Sequence, residues 1–303
     1  MQNIYELLCG CAGGENVRRQ EPMSLHTTFR IGGPADLFVT PGNIQAVADS
    51  IRICKETQTP YAVIGNGSNL LVSDTGYRGV IIQISRNLNQ VSVNGEEIRA
   101  QAGAMLSVIA KTALSESLTG FEFASGIPGT LGGAAVMNAG AYGGEMKDVL
   151  TEVTVLTREG EIRTVPAGKL EMGYRTSLAA KNGWIILEAV LKFQKGDAEA
   201  IRGRMEELKM QRVTKQPLDL PSAGSTFKRP EGYFAGKLIM DAGLRGFTVG
   251  GAQISEKHCG FVVNKGGATA EDVRNLICAV QKKVQEDAGV KLEPEVKFLG
   301  EFN

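Results

Sequence analysis

The chain has no excess of either charge. Lys+Arg and Asp+Glu both number 33, so its charge balance gives no footprint for DNA or RNA, and no nucleic-acid partner is expected. Local basic clusters remain able to hold a small anion. No apolar run approaches the length of a membrane-spanning helix, so no membrane partner is expected. The first residues, MQNIYELLCGCAGG, carry an acidic residue within their apolar part and lack a basic leader. They read as an amphipathic helix, not a signal peptide, and a cytoplasmic location is expected. Histidine is scarce: His26 and His258 are the only two, and no Cys-x-x-Cys pair exists. No metal site is therefore expected. The five cysteines, Cys9, Cys11, Cys54, Cys259 and Cys278, are odd in number and scattered. They read as idle thiols of a reducing compartment, not a disulfide framework. Internal repeats and low-complexity segments are also lacking.

What is present is glycine in two concentrated places. The denser is Ser125–Gly144, SGIPGTLGGAAVMNAGAYGG. Pro128-Gly129-Thr130 reads as a turn entering a short apolar helix, with Thr130 as a possible N-terminal cap. Exposed N–H groups at such a start favour an anion, commonly a phosphate. A packed Gly-rich turn with no ligand explains this stretch alone about as well. The second is Gly65-Asn66-Gly67-Ser68-Asn69, between the apolar runs Tyr61–Ile64 and Leu70–Val72. It is not a Walker A loop, because no Gly-Lys-Ser/Thr follows. Nor is it Gly-x-Gly-x-x-Gly, because Leu70 stands where the third glycine belongs. Two cradles of N–H donors suit a ligand with two phosphates, such as a dinucleotide.

A length of 303 residues, 43% hydrophobic and 22% charged, fits a globular chain with two or three domains. Helical spacing of Ile44, Val47, Ala48, Ile51 and Cys54 predicts an amphipathic helix over 43–57. Strands are predicted at 61–64 and 80–84, with Gly32-Gly33-Pro34 between two extended runs. Residues 1–86 read as one α/β domain. Strands at 91–93, 98–102, 153–157, 162–165 and 184–193, with a helix over 105–117, place a second domain at 87–195. A charged connecting helix is predicted over 197–212, in a connector spanning 196–212. Residues 213–303 form a third unit, with strands at 260–264 and 296–299. Its helix starts at the capping box Thr269-x-x-Asp272 and ends at Gly289.

Three polar islands remain: Gly173–Ser177, Ser222–Pro230 and Leu292–Phe298. Each alone reads equally as a solvated turn or strand edge. Together with the glycine loops they carry a resemblance. GNGSNLLV, GIPGTLGGAAVMNAGAYG, GYRTS, SAGSTFKRP, GFVVNKGGAT and LEPEVKFLG occur in the order found in the UDP-N-acetylenolpyruvoylglucosamine reductase family, over about residues 24–300. The resemblance implies an α+β chain of three domains. Two form a vanillyl-alcohol-oxidase-type (PCMH) FAD-binding fold, and a C-terminal α+β domain binds substrate. It implies non-covalent FAD, NADPH as hydride donor, a small UDP-sugar substrate and a role in peptidoglycan precursor synthesis; a monomer is expected. Carried over residue by residue, Ser225 matches the proton donor, and Arg175 and Glu295 the residues that stabilise the intermediate. Tyr174, Lys215, Lys228, Arg229 and Gln253 fall on the substrate side. Arg229 stands where another branch has asparagine. The flavin loops comprise Gly65, Asn66, Gly67, Ser68, Asn69 and Leu70, then Ser125, Gly126, Gly129, Thr130, Gly133, Gly140 and Tyr142. The strand at 184–193 runs almost directly into the next helix, so the tyrosine-bearing substrate loop of one family branch is missing.

The implied chemistry explains the residue types. Hydride delivered to the terminal carbon of an enolpyruvyl ether leaves negative charge on the next carbon and its carboxylate. An arginine neutralises it with directed donors. A glutamate there helps only if it is protonated or shares a proton, which burial promotes. A serine acting as acid needs a nearby cation, and Lys215 and Lys228 are candidates. Two other readings stay open: a flavin oxidase on the same fold, and a silent flavin- or sugar-nucleotide-binding module. Against the first, neither flavin loop contains the His or Cys that often anchors flavin in such oxidases. Against the second stand the intact Arg175, Ser225 and Glu295.

Overall fold

A computed structural model describes residues 2–302. The chain divides into two compact units, neither of them continuous in sequence. One takes in the chain up to Arg18, Leu37–Asn66 and Val80–Arg212; the other takes Arg19–Asp36, Gly67–Gly79 and the chain from Val213 onward.

The first unit holds a five-stranded antiparallel sheet in the order Ile162–Pro166, Leu150–Leu156, Ile185–Lys192, Glu97–Gln101, Val91–Asn94. Alternation decides its inner face: Val153 and Val155 are fully buried, as are Leu187 and Leu191. The helices Leu106–Ser115 and Leu131–Val136 share that core through Leu106, Ile109 and Leu131. Elsewhere in the unit Tyr61–Ile64 lies parallel to Val80–Gln83. The helix that leads into Tyr61–Ile64, Ile44–Glu56, is capped by Asn43, whose side chain accepts from the Ala46 N–H, and buries Val47, Ile51 and Cys54. The periodicity of the sequence predicts that face. These strands belong to a four-stranded sheet ordered Val17–Pro22, Pro34–Val39, Tyr77–Gln83, Tyr61–Ile64.

The second unit has an antiparallel sheet in the order Ser222–Ser225, Phe261–Asn264, Ala252–Ile254, Thr248–Val249. Helix Ala270–Ala288 buries Val273, Leu276, Ile277, Val280 and Val284 in one core with Val262, Phe29, Ile31 and Leu71. Its start is satisfied twice over. Thr269 and Asp272 form the predicted capping box, and Asp74 accepts from the Ala270 and Glu271 N–H groups at 2.8 and 3.0 Å. Gly289 ends it at φ +67°. Leu70–Val72 pairs in parallel with Lys297–Leu299.

One predicted strand is absent. Residues 26–31 are irregular, and the extended run before Gly32 lies earlier, at Val17–Pro22. The Thr27 hydroxyl exchanges hydrogen bonds with Ile31 O and Ile31 N, and Arg30 is left-handed at φ +56°. A local side-chain turn replaces the ladder there. The connecting helix runs three residues further than expected, Ala198–Lys215, and buries Ile201 and Leu208.

Candidate active site

The two glycine loops meet within the first unit. Asn66 Nδ2 donates to Pro128 O at 2.8 Å. A Cβ on Gly65 would stand 2.3 Å from Thr130 Oγ1. Beside this junction lies a cavity of about 340 Å³, lined by Gly65, Thr130, Gly132 and Gly133 together with Ile64 and Trp184. The loop's next residue, Gly67, falls in the second unit. It is left-handed at φ +62°, and a Cβ there would lie 2.0 Å from His26 O. Only glycine fits both constraints. Of the remaining loop residues, Asn69 Nδ2 donates to Glu295 O at 3.2 Å, Leu70 pairs with Lys297, and Ser68 is half-buried. In the longer stretch, the Ser125 hydroxyl donates to Glu122 O, Gly129 O accepts from Leu106 N, Gly140 pairs with Glu145, and Tyr142 is left-handed at φ +53°.

One expectation needs correction. The helix Leu131–Val136 does begin at Thr130, but the Leu131 and Gly132 N–H groups donate to Ala104 O and Ala102 O, both at 2.8 Å. Those donors are spent on the neighbouring backbone and cannot cradle a phosphate. The Thr130 hydroxyl makes no cap bond. It is left facing the cavity, a better donor for a ligand than the helix start.

Arg175 sits in a two-residue turn. Gly173 and Thr176 exchange backbone hydrogen bonds at 3.1 and 3.3 Å around Tyr174 and Arg175. Arg175 takes φ +55°, where glycine or asparagine is usual. A non-glycine residue held there costs of order 1 kcal/mol. Its guanidinium lies 5.0 Å from the Tyr174 ring centre.

Ser225 and Glu295 come together in the second unit. Ser225 ends strand Ser222–Ser225 after a register shift at Gly224, which has φ +74°. Such a bulge re-aims the following side chain, and here Ser225 is exposed between buried neighbours Ala223 and Thr226. Glu295 N donates to Thr226 O at 2.8 Å, and Glu295 is only 8% exposed. Lys228, a candidate cation, pairs instead with Glu293 at 3.1 Å. Lys215, the other, is exposed at the end of the long helix. Arg229 stacks 4.0 Å over the Phe234 ring and donates to Tyr233 O. Gln253 donates to Gly246 O and Thr248 Oγ1, and lines a cavity of about 410 Å³ with Leu218, Lys257 and Lys265.

Three polar groups escape sequence reasoning. Arg212 packs over Gly126, its Nη1 3.3 Å from where a Cβ would be, and burial pushes its guanidinium pKa down. The Thr28 hydroxyl and Gln216 Oε1 are buried with no hydrogen-bond partner among the described residues. Thr28 N donates to Gly67 O, beside the glycine loop, and Gln216 follows Lys215. No sequence signal marks any of them, because a charged helix end and a Thr-Thr pair are ordinary surface composition.

Comparison with known proteins now decides the class. A family profile described as FAD binding domain matches residues 35–166, and one described as UDP-N-acetylenolpyruvoylglucosamine reductase, C-terminal domain, matches 216–299. The chain is 51% identical over 300 residues to the UDP-N-acetylenolpyruvoylglucosamine reductase of Clostridioides difficile (strain 630), covering 99% of each. It is 55% identical over 296 residues to that of Agathobacter rectalis, covering 94% of each. The chain belongs to the UDP-N-acetylenolpyruvoylglucosamine reductase family. The crystal structure of the Thermus caldophilus reductase superposes with a TM-score of 0.81 at 35% identity, over 93% of this chain and 99% of that one. This is therefore an α+β oxidoreductase of an FAD-binding family, with an FAD-binding domain and the reductases' C-terminal domain. In the described residues no helix is long and apolar enough to cross a membrane.

Proposed function

We propose that the chain reduces UDP-N-acetylglucosamine enolpyruvate to UDP-N-acetylmuramate with NADPH, in peptidoglycan precursor synthesis. The observation that carries this reading is kinship with reductases over 99% of the chain. Arg175 and Ser225 support it, each displayed by an unusual backbone: a left-handed turn and a bulge.

The residues present fit FAD. Gly65, Thr130 and Gly133 border the cavity of the first unit, the Thr130 hydroxyl makes no cap bond, and Arg212 beside Gly126 offers a poorly hydrated cation to a pyrophosphate. Bound FAD supplies the carrier that takes hydride from NADPH and gives it to the terminal carbon of the enolpyruvyl ether. Arg175 meets the substrate carboxylate and takes up the charge that builds there. The Ser225 hydroxyl gives its proton to the carbon beside that carboxylate. Glu295, buried and bonded through its backbone to Thr226 beside Ser225, assists the charged intermediate. Tyr174, Lys215, Lys228, Arg229 and Gln253 bind the UDP-sugar.

The test is spectroscopic. Purified protein is expected to be yellow, to release intact FAD on denaturation, and to bleach with NADPH under anaerobic conditions. Addition of the enolpyruvyl substrate restores the oxidised spectrum. Colourless protein that takes up no FAD, or bleached protein that the substrate leaves bleached, defeats the reading.

A further inference from the structure

Asn138 lies in the glycine-rich stretch, and its side chain bonds the turn that carries Arg175. It is 1% exposed and left-handed at φ +45°, a conformation asparagine tolerates better than most residues. Both ends of its carboxamide are used. Nδ2 donates to Gly173 O at 3.1 Å and to Glu145 Oε2 at 2.7 Å, and Oδ1 accepts from Lys147 N at 2.9 Å. Gly173 opens the turn, and Glu145 is the partner of Gly140 in the short ribbon that closes the stretch.

A second tie lies on the far side of the turn. Ser177, fully buried, donates to Val136 O at 2.6 Å. The turn is thus pinned at both ends to residues 136–138. Charge adds to the arrangement. Glu145 pairs with Lys147 at 3.0 Å, and its pKa is held low by that bond first, then by Asn138 and by the charges of Lys147 and Arg175. Asp148 accepts from Glu145 N. Asn138 and Lys147 both bond Glu145 Oε2, which ties the end of the glycine-rich stretch to the same carboxamide that holds Gly173.

We propose that Asn138 is a positioning residue: it fixes the Arg175 turn against the glycine-rich stretch, so that the turn presents Arg175 to the substrate carboxylate. This rests on the reading of Arg175 above. No other residue type does the same work at this site. Aspartate has the shape but no donor, and would set a second carboxylate against Glu145. Alanine removes all three bonds.

The experiment is stopped-flow spectroscopy on holoenzyme, with both half-reactions followed in Asn138→Ala, Asn138→Asp, Arg175→Ala and Asn138→Ala/Arg175→Ala. The Asn138 variants are expected to hold FAD and to be reduced by NADPH within about twofold of the parent, because Asn138 does not line the cavity of the first unit and its bonds run to Gly173, Glu145 and Lys147. Their re-oxidation by the enolpyruvyl substrate is expected to slow about ten- to a hundredfold, as misplacement of a catalytic group does. kcat should fall with little change in KM. In the Arg175→Ala background the second substitution should change re-oxidation by less than about twofold, because the two act as one unit. Parental re-oxidation in Asn138→Ala, with Arg175→Ala slow, overturns the inference alone. So does an equal factor in both backgrounds. Loss of flavin from both Asn138 variants overturns it too, since Asn138 then holds the cofactor stretch itself. If Arg175→Ala re-oxidises at the parental rate, the Arg175 reading and this inference fall together.

Discussion

Ser225 shows how little of a residue's role its type reveals. As one hydroxyl in a Ser/Gly turn its loss would cost a few tenths of a kcal/mol, typical of a surface change. As general acid its loss should slow turnover by about 10² to 10⁴. Ser225→Ala is expected to retain FAD, reduction by NADPH and substrate affinity, while single-turnover re-oxidation collapses. A rate within about threefold of the parent, far below the general-acid effect, would leave the proton donor unassigned. Arg212 makes a prediction of a different kind. A desolvated guanidinium beside Gly126 gains most from an anion that shares its burial. Arg212→Ala is expected to weaken FAD by about 10- to 100-fold, the loss of one charge-assisted contact of roughly 1.5–3 kcal/mol. Riboflavin, which lacks the pyrophosphate, should bind both proteins alike in a fluorescence titration. Equal losses for both ligands would make Arg212 a packing residue.

At the scale of elements, most of the chain is legible. The helix Ile44–Glu56 lies within one residue of its predicted span at each end, because Val47, Ile51 and Cys54 repeat with the helical period. The helix from Thr269 begins and ends where its capping box and Gly289 place it. Polar islands such as Gly173–Ser177 are visible as segments, but the left-handed Arg175 is not, since nothing in Gly-Tyr-Arg-Thr requires it. The turn is held from outside, by Asn138 and by Val136, whose carbonyl accepts from Ser177. The same blindness to long-range partners made the start of Leu131–Val136 look like an anion site. Two of its donors, Leu131 N and Gly132 N, go to Ala104 and Ala102, about 30 positions earlier in the chain. Gly67 gives the prediction at this scale. Gly67→Ala must both hold φ +62° and move His26 O away from a 2.0 Å contact. A loss of at least about 1–3 kcal/mol in stability is expected, together with lower flavin content at purification. Unchanged melting with full flavin would mean that the loop rearranges freely.

Over the whole molecule the two units weave through each other in sequence, and this sets how the chain responds to pH and to truncation. Burial lowers the pKa of His258, whose Nδ1 accepts from Gly260 N. The unfolded chain therefore binds the proton more readily than the folded one. Stability should be complete above the unfolded value near 6.5 and decline as pH falls below it, a loss that His258→Asn should remove from the pH dependence of melting. Truncation is the sharper case. The segment 213–303 carries the helix Ala270–Ala288 and most of one core, and from sequence it resembles a free-standing domain. Yet Phe29, Ile31 and Leu71 complete that core, Leu70–Val72 pairs with Lys297–Leu299, and Asp74 caps the helix start. Each of the three side chains is worth about 1.5–3 kcal/mol when fully buried. Their sum alone is comparable with the roughly 5–15 kcal/mol that holds an ordinary domain folded. Expressed by itself, 213–303 is expected to show no cooperative urea transition and little dispersion in its amide NMR spectrum. In the full chain, Asp74→Ala should cost about 0.5–2 kcal/mol, the worth of one helix cap, which separates the capping term from the missing core. A cooperative, well-dispersed 213–303 fragment would show that the early segments decorate this core and do not complete it.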